Sequence, residues 1–237
     1  AGTRAVLDNQ GFTTALIADE GGLAAPFDSN ERAIEAVVAG IIRSGLRSGD
    51  QVAIALDVAA NECQVPGGYR MGGETLTSAE FVDRVIGWRR DYPIVSIEDG
   101  AGEDDDEGWS RIATLVDSTQ ILGDDRYVTT VKRLDAGIAR GEANSVLVKP
   151  NQAGTLDQAL RVVRRALDVG WAPVVSARSG ETEETWLADL ATGTGAGQIK
   201  VGSTMRSERT AKWNRLLYLE QAHDLPYVGA AALAPRT

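Results

Sequence analysis

Hydrophobic residues along this chain fall in short unbroken runs, and several of those runs stop at a charged residue. Runs suited to strands occupy residues 14–18, 51–56, 94–97, 120–122, 145–148, 173–176 and 197–201. They are continuously apolar rather than alternating, as expected of parallel strands covered on both faces. Between them the apolar spacing becomes helical, over residues 29–44, 78–90, 156–169, 183–192 and 208–223. The first helical stretch opens on Ser29-Asn30 and stops before Gly45; the second has Thr77 and Glu80 at capping-box spacing. No linker, repeat or low-complexity tract breaks the alternation. The pattern predicts an α/β protein, a (β/α) barrel domain over residues 1–237. Seven strands fall short of the eight that close such a barrel. A first strand and helix are therefore expected either to come from another segment or chain or to have been lost, and an open barrel leaves two unpaired edges.

The charged ends of the runs carry the candidate chemistry. Three runs lead into Asp57, Glu98 and Asp124, and two later ones into Lys149 and Lys200. Charge at the exit of a buried strand is costly unless it is paired or bound to metal. In a parallel barrel all strand C-termini converge on one mouth. Three carboxylates there suit Mg²⁺, which takes oxygen ligands, while one histidine and one cysteine cannot build a zinc site. A lysine near a dication and a second lysine holds its proton less tightly and can act as a base. The competing readings are solvated loop acids and structural salt bridges. Asp99 and Asp125 are expected to support the ligands, and the acidic run 103–107 to be a solvated loop.

Two loops add candidates. Arg178-Ser179-Gly180 offers a guanidinium, a hydroxyl and an open backbone N–H to a phosphate or carboxylate, although an exposed turn has the same composition. Asp19-Glu20-Gly21-Gly22 can fold over a site, with Glu20 able to give or take a proton, or be only a turn. His223 reads as structural, and Cys63 has no sequence partner for a nucleophilic role. No nucleophile-elbow serine, phosphate loop or dinucleotide glycine pattern occurs.

Charge narrows the partners. A formal charge of -10 argues against nucleic acid or an anionic membrane surface. It leaves room for a small anionic substrate, because a cation and lysines can invert the sign of a cleft. A single cysteine excludes an intrachain disulfide and suits a reducing cytosol, and no long apolar span or basic-then-apolar leader is visible. The expected location is the cytoplasm.

In order along the chain, these motifs resemble the enolase (phosphopyruvate hydratase) family. The matching stretches are AlaAspGluGlyGly at 18–22, AlaLeuAspValAlaAla at 55–60, TyrProIleValSerIleGluAspGly at 92–100 and LeuGlyAspAsp at 122–125. They continue with AlaAsnSerValLeuValLysProAsnGlnAlaGlyThrLeu at 143–156, ArgSerGlyGluThrGluGlu at 178–184, GlyGlnIleLysValGly at 197–202 and ArgSerGluArg-x-Ala-Lys at 206–212. The resemblance implies a TIM-type enolase barrel that lacks the family's amino-terminal domain and first barrel strand. It implies that Asp57, Glu98 and Asp124 bind catalytic Mg²⁺, that Lys149 takes the proton next to the substrate carboxylate, and that Glu20 helps expel water. Arg178, Ser179 and Lys200 are implied to bind a small phosphorus-containing anion. The implied partner is a second copy or a complementing amino-terminal segment. The family carries a substrate-contacting histidine where this chain has Ala177, which implies either weakened ordinary turnover or room for a larger group such as the phosphonate precursor of carboxyphosphonoenolpyruvate. A half-site protein that works only with a partner chain, or a binding module, is the alternative.

Overall fold

The structure is a computed structural model, and it describes residues 1–234. Its centre is a six-stranded parallel sheet. The strands are β1 (Ile54–Asp57), β5 (Ile94–Glu98), β6 (Gln120–Gly123), β7 (Ser145–Val148), β8 (Ala172–Ser176) and β9 (Ile199–Lys200), adjacent in that order. Helices α3 (Ser78–Asp91), α4 (Asp106–Ile112), α5 (Val131–Arg140), α7 (Leu156–Asp168) and α8 (Trp186–Gly193) make the connections, and the long α9 (Ser207–His223) follows β9. Two further helices, α1 (Gly2–Asn9) and α2 (Asn30–Arg43), pack together ahead of β1. A small antiparallel sheet of β2 (Gln64–Val65), β3 (Gly68–Met71) and β4 (Glu74–Leu76) is inserted between β1 and α3. A single turn, α6 (Pro150–Ala153), separates β7 from α7. Among the described residues no helix is long and apolar enough to cross a membrane.

The helix boundaries follow their caps. The Ser29 hydroxyl accepts from Arg32 N, and Thr77 and Glu80 form the reciprocal capping box that their spacing predicts. Thr155 caps α7 in the same manner through Gln158 N.

Side chains along the strands sort onto two faces by the two-residue period. Ile97, Ile121, Val146 and Val148 join Phe81, Val85, Val162 and Val163 in the main core, beneath the helices. Val175 packs with Leu187 and Leu190 of α8. Each such fully buried aliphatic contributes on the order of 1.5–3 kcal/mol. The other face forms three layers. Leu122, Leu147 and Val174 make a small apolar middle layer. Beneath it, Gln120 donates to Ser96 Oγ at 3.0 Å and exchanges hydrogen bonds with Gln198 at 2.8 and 3.1 Å. Above it stand Asp124 and Lys149, two residues beyond Leu122 and Leu147, together with Glu98 and Lys200 at the ends of β5 and β9. The sheet curls so far that the Lys200 ammonium on the last strand reaches Asp57 on the first, at 2.6 Å.

Residues 14–18 depart from the strand expected there. Only Ile17 pairs, through an isolated antiparallel bridge to Leu23, and Ala18 N donates to Gly22 O at 2.9 Å. The Gly21-Gly22 turn, with φ of 77° at Gly21, folds the segment back on itself instead of laying it beside β1. The acidic run 103–107 is a second departure. It is solvated only in part: Asp104, Asp106 and Glu107 are exposed, but Asp105 caps α4 through Gly108 N, and its other oxygen accepts from Tyr69 and Ser78 hydroxyls at 2.6 and 2.5 Å.

Candidate functional site

Two ammonium groups organise the upper layer. Lys200 Nζ lies 2.8 and 2.9 Å from the Glu98 oxygens and 2.6 Å from Asp57 Oδ2. Lys149 Nζ is paired with Asp124 Oδ2. Glu98 and Asp124 are buried, whereas the Asp57 side chain is 45% exposed and so forms the rim. The five charged strand exits expected to meet at one mouth therefore do meet, as two acid–lysine groups.

A fourth acid, Asp99, joins Glu98 and Asp124, while Asp57 stays outside their group. Oxygens of Glu98, Asp99 and Asp124 lie within 4.8 Å of one another, close enough to share a metal ion. Neighbouring residues on a strand normally face opposite ways. Asp99 escapes that rule by a left-handed backbone, φ 42°, which breaks the pleat as β5 ends. The strained turn is held by Asp99 N donating to Leu122 O and by its carboxylate accepting Asp124 N at 3.0 Å and Asp125 N at 2.9 Å. Asp99 thus fixes the backbone from which Asp124 projects. Its neighbour Asp125 accepts from Asn61 Nδ2 at 2.8 Å.

The electrostatics show an excess of buried negative charge. Burial pushes the Glu98 carboxyl up to about 8, against the pull of Lys200 and with help from Asp57. Burial likewise lifts Asp99 to about 7, although two backbone N–H groups favour its ionised form. Burial alone would loosen the Lys200 proton, but Glu98 and Asp57 outweigh it and hold the ammonium above its ordinary range. A crowded, oxygen-only donor set that is short of positive charge fits a hard divalent cation.

The remaining candidates border this centre. Arg178 and Ser179 follow β8, and their carbonyls accept from the buried Arg209 guanidinium at 2.7 and 2.6 Å. Arg209 also donates to Val201 O at 3.0 Å, so one side chain from α9 ties the β8 exit to the β9 exit. Arg178 N donates to Glu181 Oε1 at 3.0 Å, and Glu181 pairs with buried Lys212 at 3.1 Å. Glu20 sits in the folded-back loop, whose main chain is pinned to the β9 exit by Ser203 N donating to Glu20 O at 2.8 Å. The fit is close: at Gly202, with φ of 104°, an added Cβ would stand 2.8 Å from that same oxygen. The structure brings Glu20 to the β9 side of the mouth, and shows no polar contact from its carboxylate to the acids or lysines. Ala177 is buried, its N–H donated to Lys200 O at 2.9 Å.

Sequence reasoning missed Arg209, Gln152 and Thr129. Arg209 and Gln152 lie inside recognisable motifs, but only the folded chain shows which groups they reach. Gln152 Nε2 donates to Asp124 Oδ1 at 3.1 Å, and Thr129 Oγ accepts Lys149 N at 2.9 Å.

A parallel β/α sheet whose strand ends carry an acid cluster bridged by two lysines defines a class: barrel proteins with a centre suited to a divalent cation at the C-terminal mouth. A family model, "Enolase, C-terminal TIM barrel domain", matches residues 3–234, and the chain belongs to the enolase family. The enolase of Sulfurimonas denitrificans is 48% identical over 220 residues, 92% of this chain and 52% of that protein. The chain thus spans about half the length of that curated relative.

Proposed function

We propose that this chain carries the catalytic half of a Mg²⁺-dependent hydro-lyase, which removes the proton next to a carboxylate and eliminates water to form an enol phosphate. The carrying observation is the meeting of Asp57, Glu98 and Asp124 with Lys149 and Lys200 at one mouth. Proton loss beside a carboxylate creates a second negative charge, which needs strong positive charge around it. Mg²⁺ on the three carboxylates supplies most of that charge when bound. Lys149 receives the proton at Nζ once its ammonium has been neutralised and freed from Asp124. Lys200 and the Arg178-Ser179 loop hold the phosphorus-bearing anion, and Glu20 gives a proton to the departing hydroxyl. Asp99 keeps Asp124 in place through its hydrogen bond to the backbone.

The substrate is 2-phosphoglycerate or a phosphonate analogue leading to carboxyphosphonoenolpyruvate. The analogue reading rests on the resemblance, in which Ala177 stands in place of a histidine; the Ala177 methyl itself packs with Val175, Leu187 and Leu190. Purified protein with Mg²⁺, assayed on both substrates, tests both levels. Turnover of neither refutes the lyase reading, and faster dehydration of 2-phosphoglycerate refutes the analogue. Ala177→His should reverse the preference.

A second reading rests on the sheet edges. Among the described residues β1 and β9 each pair on one side only, so two strands from another segment or a partner chain would complete an eight-stranded barrel. Sedimentation of the chain alone and with an amino-terminal half of a relative distinguishes a self-sufficient chain, alone or as a homodimer, from one that needs its complement. A cytoplasmic setting accords with the single partly exposed thiol of Cys63.

A further inference from the structure

Asp124 is held at both carboxylate oxygens, and one of its two partners is an uncharged residue outside the acid cluster. Its two carboxylate oxygens are divided: Lys149 takes Oδ2, while the Gln152 side-chain amide donates to Oδ1 at 3.1 Å. Gln152 stands on the single turn α6, three residues after Lys149. An amide could present either its oxygen or its nitrogen to Asp124, so something must set its orientation. Thr129 does so. Its hydroxyl oxygen already accepts Lys149 N at 2.9 Å and gives its hydrogen to Gln152 Oε1 at 2.8 Å. The carbonyl end of the amide is thereby occupied, and the NH2 end faces the carboxylate. Thr129 and Val128 pay for this placement in backbone conformation, with φ of 51° and 41°.

We infer that Gln152 is the positioning residue of the cation site, and that the Thr129–Gln152 pair fixes which Asp124 oxygen meets the ion. This rests on the metal reading given above. With Oδ1 committed to the amide, Oδ2 is the oxygen open to a cation, and it is the one Lys149 now occupies. The same threonine fixes the backbone of Lys149, so one hydroxyl sets both the ligand and the base. Without the amide the carboxylate can turn about its Cβ–Cγ bond and dilute its ligating orientation among others. Partners that orient a ligating group in this way are typically worth roughly 10–100-fold in metal affinity.

The test is binding of Mn²⁺ alone to the 237-residue protein, followed by the electron paramagnetic resonance signal of the free ion. Gln152→Leu should weaken Mn²⁺ binding about tenfold, with the metal-free melting temperature near that of the wild type. Thr129→Val should weaken it less, and the double variant no more than Gln152→Leu alone, because the two act in one chain. Asp124→Asn should bind poorly and so identify the site. Wild-type affinity in Gln152→Leu overturns the inference while leaving the metal reading intact. Wild-type protein that binds no Mn²⁺ overturns the metal reading and this inference with it. Should Gln152→Leu fail to fold, unchanged affinity in Thr129→Val overturns the inference instead.

Discussion

The two ends of the curled sheet solve the same problem differently. Both ends place polar side chains on the inner face, one layer on either side of Leu122, Leu147 and Val174. At the lower end Gln120, Gln198 and Ser96 satisfy one another, and residues 232–234 close over them, with Gln198 Nε2 donating to Ala232 O and Ala234 N to Gln120 Oε1. Neutral groups with matched donors and acceptors cost little to bury. At the upper end six charged groups, Asp99 included, share a partly open space, and two buried acids there sit far from their ordinary protonation behaviour. A protein keeps such an unresolved charge balance where something else is to bind. The lower end is closed among its own groups, whereas the upper end holds the charge imbalance on which the proposed function rests.

That contrast can be broken first at the base. Lys149→Ala should lower turnover by roughly 10²–10⁴-fold while substrate still binds; persistent exchange of the substrate α-hydrogen with solvent would place the base elsewhere. Away from both ends, Glu142→Gln should cost about 3 kcal/mol in urea denaturation and leave Mn²⁺ affinity unchanged. Glu142 is buried, yet two guanidiniums, Arg126 and Arg140, overcome that burial and hold it down to about 2. A lowered carboxyl stabilises the fold above its unfolded value near 4.5 and gives that up as pH falls toward 2. Glu98 and Asp99 act in the opposite sense. The folded protein keeps their protons where the unfolded chain has released them, so metal-free stability should fall from about pH 4.5 to pH 8. Excess Mg²⁺, or Glu98→Gln, should flatten that slope in thermal melts; an unchanged slope would remove the acid-crowding account. The smallest effect is expected at Asp105→Asn, about 1–2 kcal/mol of stability with no change in Mn²⁺ binding. Two of the three donors to this carboxylate belong to residues remote in the chain.

The parts legible in the sequence are those where one residue contradicts its neighbours. A carboxylate or ammonium at the end of an apolar run marks its own position, and all five such residues emerge at the same end of the sheet. Asp105 was illegible because its partners Tyr69 and Ser78 lie 36 and 27 residues away, so an acid among acids looks solvated. The β2–β4 sheet has two to four residues per strand between glycines, too little for a period to emerge. Helix α5, Val131–Arg140, was not anticipated because Leu134 and Gly137 are its only buried positions. The segment at 14–18 looks like a strand by composition alone; pairing partners decide strands, and its own return turn claimed it. Gln120 and Gln198 gave no warning, since polar residues commonly open a strand, and their meeting depends on curvature.

Lys200 has a double duty. Its ammonium clasps the first strand to the last across the seam of the sheet, and the same nitrogen is the one an incoming anion would seek. On the proposed function, a guest at the mouth would compete for that fastener, so its occupancy would be felt at the seam between β1 and β9.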